Sequence, residues 1–135
     1  MGKIAILDKM SEITPAATQK RKVHIIRNCL IKPIKEELIF RGALQTLIKQ
    51  AIIHFLPSYI KVAANIAILI SGICFGLDHL KQSKTEALLD GISGCLIEGP
   101  LMEKYGLLTS MGAHIISNTV VDGILLSMNI IITIL

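Results

Sequence analysis

Val62–Leu77 runs for 16 residues without one charged side chain, bounded by Lys61 and Asp78. A helix at the surface of a water-soluble bundle carries a charged or polar face on every turn or two, and this stretch has none. Extended to Tyr59 and His79, it reaches the length of about 20 residues that a helix needs to cross a bilayer. The rest of the chain agrees with that environment. Only 18% of its 135 residues are charged and 52% are hydrophobic, with a mean hydropathy of +0.63, against about 25% charged in ordinary soluble domains. A small soluble protein has more surface per residue to hydrate and should be more polar than average. A soluble helical bundle with very apolar core helices is the less favoured reading. Trp is absent and aromatic residues make up 4%, so there is no aromatic belt of the usual kind.

Three more apolar runs complete the expected fold. One spans about Glu36 to Leu56, punctuated by Pro57; one spans about Thr85 to Lys104, made irregular by Gly91, Gly94, Glu98 and Pro100; one runs from Leu107 through Asp122 and Gly123 to Leu135. The expected fold is therefore all-α, a polytopic membrane bundle of about four transmembrane helices. Residues 1–32 form a basic N-terminal segment, amphipathic or interfacial, and residues 33–135 the membrane core, with Pro33 expected to end or kink the helix before it. Lys20, Arg21, Lys22, Arg27, Lys32 and Lys35 precede the first long apolar run, which places the N-terminus on the cytoplasmic side and next to anionic lipid. The net charge is +4, but no stacking platform accompanies the positives, so nucleic acid is not an expected partner. Cys29, Cys74 and Cys95 are widely spaced in apolar settings and follow no metal or disulfide pattern. No cleavable signal peptide is expected at the start of the chain.

Charged and polar residues inside apolar helices are costly and are retained where they are paired or useful. Glu37 and Arg41 lie i,i+4 and share a helix face, which predicts a buried ion pair; Glu36 points about 100° away. As a purely structural alternative, both acids cap a helix N-terminus. Phe75 and His79 form a second i,i+4 pair, and His114 and Asn118 a third, with Asp122 one turn further along the same stripe. One carboxylate, two histidines and an amide on three helices suffice for hydrolytic chemistry: Glu36 takes a proton from water, the histidines orient that water or protonate a leaving amine, and Asn118 donates to an oxyanion. The same Glu36, His79 and His114 also have the donor chemistry to hold a divalent metal, zinc foremost, though no cofactor is certain.

These residues also resemble the motifs of a known family. Lys32–Gly42 contains two glutamates, three residues, an arginine and a glycine; Phe75–His79 has phenylalanine and histidine separated by three; His114–Asn118 has histidine and asparagine separated by three. In this order, each on an apolar helix, they resemble the three motifs of the CPBP intramembrane proteases, the CAAX prenyl-protein endopeptidases and their bacterial relatives, Abi and bacteriocin-immunity members included. The resemblance covers roughly residues 33–122. It implies an enzyme, a CAAX-like intramembrane protease of a group commonly called metalloproteases. In it Glu36 activates water with His79 and His114, Asn118 serves the oxyanion, Glu37 and Arg41 support Glu36, and Phe75 lines the site. It also implies a protein or peptide substrate, membrane-anchored or prenylated, with lipid as the surrounding partner; the small size and plain composition favour a prokaryotic member, in the cell membrane. The chain is short for such a protein, and a homodimer is one way to seal its site. Two rival readings use the same residues. One is a catalytically silent immunity or regulatory protein that binds a peptide or partner helix; the other is a small transporter with Glu36, His79, His114 and Asp122 along its path.

Overall fold

A computed structural model describes residues 15–134, all of which belong to helices or to short turns between them. Residues 1–14, which open the expected interfacial segment, lie outside the described residues. The chain first forms an unbroken helical run over 15–55. It comprises α1 (Pro15–Ile26), a wider π-helical stretch (Arg27–Ile31), α2 (Lys32–Glu37), a second π stretch (Leu38–Gln45) and α3 (Thr46–Phe55). After a 3₁₀ turn at Pro57–Tyr59 comes α4 (Ala63–Asp78), closed by a 3₁₀ turn at His79–Lys81. The third run contains α5 (Lys84–Ser93), a π stretch (Gly94–Glu98) and α6 (Gly99–Tyr105), and the last is α7 (Leu107–Ile134).

Each boundary has a local cause. Pro57 stops α3 because its ring cannot continue the hydrogen-bond ladder, and Leu56 turns to φ −133°, ψ 62° ahead of it. Ser83 caps α5, its hydroxyl accepting from the Glu86 N–H at 3.0 Å. Gly106 separates α6 from α7 at φ 88°, a value only glycine adopts without strain.

Pro33 departs from expectation: it sits near the start of α2 inside a continuous helix. The preceding π stretch explains how. There the Lys32 N–H reaches back five residues to the Arg27 carbonyl, so the N–H that Pro33 lacks would have gone to the Asn28 carbonyl. That carbonyl instead accepts from the Asn118 amide at 3.4 Å. The other two π stretches have the same remedy. The Ser71 hydroxyl donates to the Phe40 carbonyl at 2.6 Å and the Thr46 hydroxyl to that of Arg41 at 3.2 Å. At the third, Ser110 and the Gln45 amide reach the Glu98 and Gly99 carbonyls at 3.0 and 3.2 Å. Wider turns are often found at functional sites, and here side chains from neighbouring helices hold all three.

α4 is packed on small residues. Ala63, Ala67, Ser71, Gly72 and Gly76 are buried on it, and a Cβ on Gly76 would meet the Ala87 carbonyl oxygen at 2.5 Å and the Gly91 Cα at 2.9 Å. A Cβ on Gly72 would meet the Cys95 nitrogen at 2.8 Å. These glycines let the backbones of α4 and the third run touch, the close approach expected of Gly72 and Gly76 and common between helices in lipid.

Burial runs opposite to the pattern of a soluble domain. The buried apolar side chains are mostly small, whereas Leu47, Leu96 and Leu108 are 66%, 71% and 83% exposed. The buried interior instead holds Glu37, Arg41, Gln45, His79, Glu98 and His114. So much large aliphatic surface facing outward signals an apolar surrounding rather than water. Among the described residues one helix, Ala63–Lys81, is long and apolar enough to cross a membrane by length and composition. The molecule is an all-α bundle with membrane-associated character.

Candidate active site

Glu36 occupies the meeting point of three helical runs. Its Oε1 lies 3.3 Å from His79 Nε2 and its Oε2 3.8 Å from His114 Nε2, while Lys32 one turn earlier approaches Oε1 at 3.6 Å. The histidines come to it with their other nitrogens already engaged. His79 Nδ1 is 3.0 Å from the Phe75 carbonyl oxygen, which can only accept, so Nδ1 carries the proton. His114 Nδ1 is 3.1 Å from Glu37 Oε1, where the carboxylate accepts in the same way. In the neutral imidazoles both Nε2 lone pairs therefore face Glu36.

Below Glu36 lies a buried polar network. Glu37 and Arg41 are fully buried, with Arg41 Nε 3.8 Å from Glu37 Oε1, the ion pair that their spacing predicts. Glu37 Oε2 also meets the Ser110 hydroxyl. Arg41 has a second anionic neighbour, Glu98, whose Oε2 is 3.9 Å from Nη2 and whose Oε1 accepts from the Ser93 hydroxyl at 2.8 Å. The guanidinium carbon lies 4.7 Å from the centroid of the Phe75 ring, within range of a cation–π contact. Phe75 in turn stands edge-on to both imidazoles, with centroids 4.9 Å from His79 and 5.5 Å from His114. One aromatic ring thus separates the buried cation from the histidines and fixes their planes.

Above Glu36 opens a cleft of about 990 Å³, into which Glu36, His79, Asp90, Ser117, Asn118 and Asp122 face. The expected polar stripe on α7 divides along its length. His114 joins the glutamates. Asn118 lines the cleft but donates to the Asn28 carbonyl, and Asp122 Oδ2 accepts from the Cys29 thiol at 3.2 Å.

The structure thus brings Glu36, His79 and His114 together, with Asn118 in the same cleft and Glu37, Arg41 and Phe75 as their support. Three participants escape a reading of the sequence. Glu98 shows there only as an irregularity of the third helix, Ser110 is one hydroxyl in an apolar run, and Asp90 belongs to no i,i+4 pair with a histidine. Among the described residues no three His, Cys, Asp or Glu side chains are arranged to hold a metal ion; Glu36 bridges the imidazoles with a separate oxygen to each. The donor types of Glu36, His79 and His114 suit zinc.

No curated protein and no solved structure gives a significant match to this chain. A family model does match, over residues 18–120, more than half of the chain and inclusive of Glu36, His79, His114 and Asn118. The buried Glu–His pairs therefore stand in a protease-family framework, and the chain belongs to the type II CAAX prenyl endopeptidase Rce1-like family.

Proposed function

We propose that the protein is a membrane-embedded endopeptidase of the CPBP group that hydrolyses a peptide bond with a water activated by Glu36. The observation that carries this reading is the convergence of His79 Nε2 and His114 Nε2 on the two oxygens of Glu36 at the floor of a polar cleft. A water beside Glu36 gives it a proton while its oxygen attacks the scissile carbonyl carbon. The C–N bond then breaks, and the same proton passes to the leaving nitrogen, directly or through His79, leaving a carboxylate and an amine. Asn118 has two amide N–H groups; one faces the Asn28 carbonyl, and the other is available to the oxyanion. Glu37 acts through His114, whose ring it orients from Nδ1. A zinc ion held by Glu36, His79 and His114 would act as a Lewis acid on the carbonyl, but only after these side chains turned to a common point.

In this reading the part of the first run after residue 32 (33–55) and the runs 63–81, 84–105 and 107–134 cross the bilayer, with the N-terminus cytoplasmic and residues 1–32 at the interface. The outward-facing leucines and isoleucines on these runs support it. The substrate is a protein or peptide presented at the membrane. Membranes containing wild type or Glu36→Gln at matched folded levels, incubated with a peptide panel that includes prenylated C-terminal peptides, test it by mass spectrometry. Products formed by wild type alone support the peptidase, and identical product lists from the two contradict it.

A further inference from the structure

The third helical run carries none of the three motifs, yet it brings a carboxylate to the site. Asp90 Oδ2 lies 3.6 Å from His79 Nε2, so this nitrogen is flanked by two carboxylates, with Glu36 Oε1 at 3.3 Å. The two acids approach from different sides. The Glu36 side chain is 12% exposed and belongs to the floor of the cleft, whereas that of Asp90 is 35% exposed and stands at its opening.

The short aspartate reaches that far because α5 presses directly on α4. Gly91, next to Asp90, lies against Gly76, three residues before His79; even the added Cβ of an alanine at 76 would come within 2.9 Å of the Gly91 Cα. The imidazole is thereby held on every edge. Phe75 supplies a carbonyl at Nδ1 and a ring edge-on to the imidazole plane, and the two carboxylates supply the contacts at Nε2. Asp90 is the contact made to Nε2 from the open side of the cleft.

We propose that Asp90 is a positioning residue of this site: when His79 is protonated, its Nε2–H is held by Asp90 from the cleft side and by Glu36 from the floor. Its kinetic consequence rests on the peptidase reading; the contact itself does not. For metal-ligating histidines such outer partners are typically worth about 10–100-fold in activity, and a loss at the lower end of that range is expected here.

The test uses the full chain in detergent as wild type, Asp90→Asn, Asp90→Glu, His79→Gln and the Asp90→Asn/His79→Gln double variant. Thermal midpoints are measured first, and they need no substrate. The double variant is expected to melt no lower than His79→Gln alone, because the two side chains stabilise through one contact; strictly additive losses overturn the proposal. On any peptide that wild type cleaves, Asp90→Asn is expected to lower kcat about tenfold with KM changed by less than about twofold. Asp90→Glu, which keeps the carboxylate, is expected to restore most of the loss. An unchanged kcat, a loss confined to KM, or no recovery in Asp90→Glu overturns it. Absence of cleavage by wild type would count against the peptidase reading, and the midpoint cycle would then decide the role of Asp90 by itself.

Discussion

Glu36 and Glu37 are the same residue at adjacent positions, yet their surroundings differ in nearly every respect. Glu36 faces a cleft of about 990 Å³, its oxygens directed at two imidazole nitrogens whose lone pairs are free for chemistry. Glu37, about 100° further round the helix, is fully buried and meets Arg41, Ser110 and His114 Nδ1. The difference lies in what each carboxylate can exchange protons with. Glu36 can reach a substrate and an incoming water; Glu37 can reach only fixed protein donors. A single step along the helix thus separates a reactive region from a holding region, and the two should respond to substitution in opposite ways.

The largest expected effect is on the reactive side. Glu36→Gln keeps the size of the side chain but cannot accept a proton from water, so product formation is expected to fall by at least about 10²-fold with the melting temperature near that of wild type. Mass spectrometry of cleavage products and a thermal melt check the two halves. On the holding side, Arg41→Ala strands the carboxylates of Glu37 and Glu98 in the interior, and breaking a buried pair in this way costs about 3–5 kcal/mol. The folded yield of Arg41→Ala in detergent should therefore fall well below that of Glu36→Gln, and equal yields would erase the distinction between the regions.

Smaller substitutions sharpen the boundary. Ser110→Ala removes the hydroxyl that meets Glu37 and the Glu98 carbonyl, leaving buried acceptors unsatisfied at about 1–3 kcal/mol. A denaturation series should show that loss together with a weaker hold on His114. The smallest effect is expected at the seam between the first and last runs. Pro33→Ala restores an N–H that can compete with Asn118 for the Asn28 carbonyl, at a net worth of about 0.5–1.5 kcal/mol for one hydrogen bond. A change in the Asn118 side-chain amide resonance with little change in melting temperature is the expected result.

Much of this arrangement can be read from the sequence where a local period carries it. The pairing of Glu37 with Arg41 follows from a four-residue spacing, and the close packing at Gly72 and Gly76 follows from small residues one turn apart. Pro57 and Gly106 end their helices for reasons internal to the backbone, although only Pro57 announces this in advance. What the sequence hides depends on contacts between distant runs. Arg41 has two carboxylate neighbours, and the second, Glu98, comes from 57 positions away. Ser110 meets Glu37 across 73 residues. Asp90 reaches His79 only because two glycine-bearing backbones touch, which no spacing within one helix encodes. Pro33 misleads for a related reason. In isolation it breaks a helix, but the π stretch before it and the Asn118 amide from α7 accommodate the missing donor.

The most direct measurement is a paired one on Glu36→Gln and Glu37→Gln, each assayed for thermal stability and for cleavage of the same peptides in the same membranes. The account predicts that Glu36→Gln melts like wild type and yields no product, whereas Glu37→Gln loses stability because its neutral amide cannot answer Arg41. If both variants keep their stability and their cleavage, or if Glu36→Gln proves the less stable of the two, the division between a reactive and a holding glutamate is wrong.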